Sequence, residues 1–169
     1  MENFKEINID ELYLNPFTKI GKDWMLITAK NNDKANTMTA SWGGLGFMWG
    51  KNVSFTVIRP QRYTKEFIDN SNYFSLCFFN NDYKKTLSYL GSISGRHEDK
   101  IEKSKLNIIN YNDIPFFSEA KLVLICKKIY SQEFEEKNFT DKNLNNLWYK
   151  DKDYHTLYIS EITNIFVKK

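Results

Sequence analysis

The sequence predicts a mainly β fold, an antiparallel barrel with short helices attached. Three observations carry that expectation. Aromatic residues make up 16% of the 169 residues, led by 13 Phe and 10 Tyr, and such side chains favour pleated, half-buried surfaces. Several apolar or alternating runs of strand length are separated by turn residues. The stretches between them are too short and irregular for the strand–helix repeat of a doubly wound parallel sheet.

The elements follow in order. Trp24–Lys30, "WMLITAK", has the apolar character of a buried strand, and "NNDK" then supplies a turn. "NTMTASW" alternates, with Met38, Ala40 and Trp42 on one face and Thr37, Thr39 and Ser41 on the other, which favours a strand. Asn52–Ile58 is another strand, ended by Pro60. "YTKEFIDNS" reads as a short helix with Thr64 as its N-cap. "YFSLCFF" is again a strand, and "DYKKTLSYLGS" and "RHEDKIEKS" read as two short helices broken near Gly91 and Gly95. Lys121–Phe134 and Tyr154–Val167 are long β segments, separated by a Lys/Asn-rich stretch, Glu136–Asp153, expected to be exposed. With no repeat, low-complexity tract or linker, residues 1–169 are read as one domain.

Composition narrows the function classes. A formal charge of +3, spread through mixed Lys and Glu/Asp stretches, argues against nucleic acid as a partner. No run approaches the ~20 apolar residues of a membrane span, and "MENFKEINID" lacks the pattern of a signal peptide. A cytoplasmic protein is expected. Cys77 and Cys126 lie inside apolar strands and read as buried structural thiols. Neither a CxxC pair nor any other metal-ligand spacing occurs, so no metal is expected.

Three segments stand out chemically. "NTMTASWGG" is uncharged and small or hydroxylic around one Met and one Trp, either a turn or a surface on which a flat ligand lies against the backbone. "VIRPQRYTKEF" delivers Arg59 and Arg62 to a helix start, a natural place for a phosphate. The alternative is two surface arginines paired with Glu66 or Asp69. "GSISGRHEDK" brings Arg96 and Lys100 to a loop hinged at Ser94 and Gly95, with Asp99 able to orient one of them, although a Ser-Gly turn beside a helix explains it equally. Together they suit one flat, phosphate-bearing cofactor. None is a GxGxxG or a P-loop, and flavin mononucleotide (FMN) fits the inventory.

"NTMTASWGG", "IRPQRYT", "SGRHEDK", "DIPFFSEAKLVLICKKIYSQEF" and "DYHTLYISEI" stand in the order seen in flavin reductase-like proteins with an FMN-binding split barrel. The chain resembles that family, and within it the flavoredoxin branch, from about Trp24 to the last strand. It departs from the family pattern over Phe139–Lys152 and at Ser160, where Gly is common. The resemblance implies that Met38, Thr39, Ala40, Ser41 and Trp42 lie along the isoalloxazine. Arg59, Arg62, Tyr63 and Thr64 would hold the ribityl phosphate, and Ser94, Gly95, Arg96 and Lys100 would close the site. It also implies a homodimer with the flavin at the subunit interface, and NAD(P)H passing hydride to flavin N5. No side chain is expected to act as acid or base.

Electrons would go on to free flavin, oxygen or a redox partner protein. The alternative is a flavoredoxin-like electron carrier, reduced by a partner and with little NAD(P)H activity. A dimeric barrel without flavin is the third reading. His155, a lone histidine beside a strand, reads as a hydrogen-bonded structural residue that the resemblance brings towards the interface or the flavin. His97 is expected to face solvent.

Overall fold

The computed structural model describes all residues, Met1–Lys169. Ten strands are present: β1 (Phe4–Ile7), β2 (Met25–Asn31), β3 (Lys34–Ala40), β4 (Gly43–Met48), β5 (Lys51–Ile58), β6 (Tyr73–Phe78), β7 (Ile108–Tyr111), β8 (Ile114–Phe117), β9 (Leu122–Glu133) and β10 (Thr156–Lys168). Five helices interrupt them: α1 (Pro16–Thr18), α2 (Tyr63–Asp69), α3 (Lys84–Ser92), α4 (Lys100–Ser104) and α5 (Lys142–Trp148).

One sheet runs β3-β2-β6-β9-β10-β5-β4, with β1 added beside β10, and β7-β8 form a separate hairpin. Every pairing is antiparallel. The two edges, β3 and β4, are consecutive in the chain and joined only by Ser41 and Trp42. No ladder pairs them, so the barrel is split rather than closed, and the split falls beside the uncharged strip.

The continuous apolar runs have a direct cause. Met25, Ile27 and Ala29 of β2, Phe74, Leu76 and Phe78 of β6, and Leu122, Leu124 and Cys126 of β9 fill the barrel interior. Their neighbours Leu26, Cys77, Val123 and Ile125 point the other way, into a second core with Leu87 and Leu90 of α3 and Phe116 and Phe117 of β8. Alternate residues therefore serve two cores, and strands covered on both faces lose the apolar/polar alternation. Both cysteines are fully buried and unpaired, as expected.

Several elements depart from expectation. β3 begins at Lys34 and ends at Ala40, so Ser41 and Trp42 form the link rather than the end of the strand. Chain direction changes at Gly43, whose φ of +143° suits glycine, and a Cβ there would stand 2.4 Å from the Phe55 carbonyl oxygen. Its successor β4 gave no apolar alternation to read, since it starts with glycines and stays largely exposed. β1, β7 and β8 are only four residues each and were likewise not anticipated.

The N-cap of α2 is Arg62, not Thr64, and no side chain caps that end. Thr64 is buried, and its Oγ1 accepts a hydrogen bond from Asn36 Nδ2 at 2.9 Å. α4 starts only at Lys100, because Asp99 Oδ1 accepts from the Glu102 amide at 3.0 Å and caps the helix there. The Lys/Asn-rich stretch, expected to be simply exposed, contains α5 and buries Asn145 and Tyr149. Ser160 lies at a register shift between β9 and β10, fully buried, with its hydroxyl unpartnered.

Candidate functional site

A cleft of two lobes opens at the split. The first, about 400 Å³, is lined by Met38, Thr39, Ala40, Ser41 and Trp42, together with Val57, Arg59, Arg62, Trp148 and His155. The second, about 350 Å³, shares Met38, Arg59 and Arg62 and adds Asn36, Gln61, Tyr63, Thr64, Ser92, Ile93, Ser94, Gly95 and Lys100. Each volume falls in the range of small-molecule pockets. Every residue that the resemblance assigns to the cofactor, except Arg96, lines one lobe or the other.

β3 supplies the floor. Thr39 Oγ1 donates to the Leu87 carbonyl at 2.5 Å, which fixes α3 against the strip. The loop after α3 comes equally close to β3. A Cβ on Gly91 would be 3.1 Å from Thr39 Cβ, and one on Gly95 would be 2.4 Å from Asn36 Oδ1. The lack of a side chain at Gly91 and Gly95 lets the end of α3 and the following loop lie this near to β3. These glycines therefore make room for the Thr39 and Asn36 side chains of the strip.

The first lobe is aromatic. Trp42 and Trp148 meet edge to face, with centroids 4.8 Å apart, and Trp42 lies 5.2 Å from the His155 ring at a tilt of 37°. His155 Nδ1 is 2.8 Å from the Tyr149 hydroxyl. Burial, with Arg59 nearby, pushes the imidazole down to about 4, so it is neutral at ordinary pH. The hydrogen-bonded structural role expected for His155 agrees with this geometry, and the ring also forms part of the lobe wall. His97 is exposed.

The second lobe is cationic. Lys100 is 4% exposed and donates to the carbonyls of Leu90 at 2.7 Å and Ile93 at 2.9 Å, at the C-terminal end of α3. Burial, then the charge of Arg62, pulls its ammonium down to about 8. Arg62 donates from Nη1 to the Gly91 carbonyl at 2.6 Å, and burial and Arg59 hold it below the ordinary arginine range. No ion pair of the protein involves either residue. Two neighbouring cations with little solvent and no carboxylate are costly unless an anion joins them. Thr64 and Ser94 line the same lobe.

The other two arginines are neutralised. Arg96 pairs with Glu66 and lies over the Tyr63 ring, 4.5 Å from its centroid, lining an adjoining depression with Asp33 and Lys34 that shares Asn36, Gly95 and Lys100 with the cationic lobe. Glu66 is exposed one turn into α2 and draws the guanidinium outward. Arg59 pairs with Asp153 and donates to the Trp148 carbonyl at 2.8 Å. Neither Arg59 nor Arg62 pairs with Glu66 or Asp69; Asp69 takes Lys65 at 2.7 Å and the Tyr158 hydroxyl at 2.5 Å. Asp99, a candidate to orient the basic loop, caps α4 instead.

Sequence reasoning missed Trp148, Tyr149 and Asp153, which sit in a polar stretch with no periodic signal. It also passed over Asn36, the first residue of the uncharged strip. Val57 gave no signal at all.

A split antiparallel barrel with a cationic lobe joined to a flat aromatic lobe defines a small-molecule-binding class of protein. The flavin reductase like domain profile matches residues 17–169, and the chain belongs to that family. No curated protein matches it in sequence. Among solved structures it is similar to an FMN-binding domain of a flavin reductases-like enzyme from Shewanella baltica, at 18% identity and a TM-score of 0.72 over 98% of this chain and 78% of that one. Flavoredoxin from Methanosarcina acetivorans superposes at 20% identity and 0.70, over 98% and 76%. The flavin reductase PheA2 gives 18% and 0.61, over 87% and 80%. These likenesses establish the split-barrel fold. No helix is long and apolar enough to cross a membrane.

Proposed function

We propose that the cleft binds FMN and that the protein is an NAD(P)H-dependent flavin oxidoreductase. One observation carries the reading: Lys100, buried, and Arg62, partly buried, both without a carboxylate, adjoin a lobe floored by the uncharged Met38–Trp42 strip. A molecule with a phosphate at one end and a flat ring at the other satisfies both lobes at once. Family membership, and FMN in the description of the Shewanella baltica structure, support the choice.

Arg62 and Lys100 would hold the phosphate, with the hydroxyls of Thr64 and Ser94 completing its hydrogen bonds. Met38–Trp42 would support the ring, and Trp42 and His155 would exclude water beside it. Bound FMN supplies hydride acceptance from a nicotinamide and onward electron transfer. Arg59 belongs between the lobes, and Arg96 outside the phosphate contact. The exposed Phe47, Met48 and Trp49 at the β4–β5 turn, with Ile129 and Tyr130 of β9, suit a second copy of the chain in a two-fold dimer. Unpaired buried cysteines accord with a cytoplasmic location.

The test is the visible absorption spectrum of the protein after FMN is supplied and excess removed, followed anaerobically with NADH or NADPH. A retained flavin band that bleaches rapidly supports the reductase. A band that bleaches only with a chemical reductant or a reduced partner supports the flavoredoxin-like carrier. Absence of any band refutes tight FMN binding.

A further inference from the structure

The Lys/Asn-rich stretch Glu136–Asp153, which departs from the family pattern over Phe139–Lys152, reaches back over the ring lobe. It is tied at its end by charge: Asp153 accepts from Arg59 and, at 2.7 Å, from Gln61 Nε2. Its middle is tied by the Arg59–Trp148 carbonyl bond at 2.8 Å and by Tyr149 on His155 at 2.8 Å. Tyr154 donates to Asn145 Oδ1 at 2.8 Å and stacks on Tyr149, with centroids 5.0 Å apart. These ties fix the backbone at Trp148, yet its side chain remains 45% exposed. A tryptophan held this firmly and left half in solvent is not there to fill a core.

Trp148 stands almost perpendicular to Trp42, at 86°. With centroids 4.8 Å apart the two rings touch, so a reactant reaches the lobe beside the pair and not between them. The half-exposed Trp148 indole offers a flat reactant ring a stacking surface that it does not offer a compact ion.

We propose that Trp148 determines the specificity of this site, forming with Trp42 a gate that favours planar redox rings, nicotinamides and quinones, over compact ions. The proposal rests on the FMN reading above. Arg59 and Asp153 are positioning residues for the gate, because they hold the backbone that carries the indole.

The experiment uses the full chain loaded with FMN and reduced by dithionite, which removes any dependence on NAD(P)H. Reoxidation by menadione, a planar quinone, is compared with reoxidation by ferricyanide, an octahedral ion, at equal flavin occupancy. Trp148→Ala should raise the ferricyanide-to-menadione rate ratio by roughly tenfold or more, the scale of discrimination expected of a pocket wall. Trp148→Phe keeps a flat wall and should hold the ratio near that of the unmodified chain. An unchanged ratio in Trp148→Ala overturns the gate while leaving FMN binding intact. Failure of the unmodified chain to retain flavin overturns instead the reading on which the gate rests.

Discussion

Raising the pH from 7 to 9 should strip the charge from Lys100 while Arg62 beside it stays charged. The ammonium of Lys100 is set at about 8 by burial and by Arg62. If a bound phosphate returns it to the ordinary lysine range, binding above pH 8 must take up a proton. The apparent dissociation constant then scales as 1 + 10^(pH − 8), roughly 1.1 at pH 7 and roughly 11 at pH 9, a loss of about tenfold or ~1.4 kcal/mol. Stability runs the other way. The folded lysine gives up its proton below the unfolded value, so the unliganded protein binds fewer protons than its unfolded chain between about 8 and 10.5 and gains stability as pH rises there. The assay is equilibrium titration of flavin at pH 7, 8 and 9 and constant ionic strength, with FMN and with riboflavin, which lacks the phosphate. FMN affinity should fall and riboflavin affinity should not. Lys100→Met should flatten the FMN profile. Equal FMN affinity at pH 7 and 9, or the same slope with riboflavin, refutes the placement of Lys100 against the anion.

Arg62→Ala removes a charge-assisted donor and should weaken FMN by about 1.5–3 kcal/mol with little effect on riboflavin, measured by the same titration; equal losses for both ligands would place Arg62 at the ring instead. Gly95→Ala puts a methyl 2.4 Å from Asn36 Oδ1 and should cost about 1–3 kcal/mol of stability, read by urea denaturation, with FMN affinity falling in parallel. Burial sets His155 at about 4, so its imidazole NMR signals should show no titration between about pH 5.5 and 8, the span in which an unperturbed histidine titrates. The sign for stability follows: the unfolded chain binds the proton first, so this group destabilises the fold as pH falls through the ordinary histidine range towards about 4.

The β class was legible because Phe, Tyr and apolar runs dominate β2, β6 and β9, and their doubled apolar character comes from facing two cores. β4 was illegible for the opposite reason, since a glycine-led edge strand buries almost nothing. The uncharged strip and the Ser94–Gly95 loop could be read as parts of one cleft because glycine is needed where the loop backbone meets the Asn36 side chain, a local requirement that leaves a local mark. The role of Trp148 left none. It depends on a contact with Trp42 more than a hundred positions away in the chain, and on Arg59 choosing Asp153 over Glu66. Partner choice among charges is decided by the fold, and the pairing of Arg96 with Glu66 was illegible for the same reason.

That choice of partners also selects the anion-binding residues. Four cations, Arg59, Arg62, Arg96 and Lys100, lie near the lobes, and by type alone the three arginines are the better phosphate ligands. Glu66 takes Arg96 and Asp153 takes Arg59, each in an ion pair whose breaking would offset what a new anion contributes. Arg62 and Lys100 have only backbone carbonyls, which satisfy donors and leave the charge unbalanced. An incoming dianion therefore gains most at the two cations that no carboxylate has neutralised. On this reasoning Asp153→Asn should strengthen FMN binding by freeing Arg59, whereas Glu66→Gln should change it less, because Arg96 lines the adjoining depression and neither lobe. Weaker binding in Asp153→Asn would show that Arg59 serves the cleft through its tie to the α5 segment rather than through its charge.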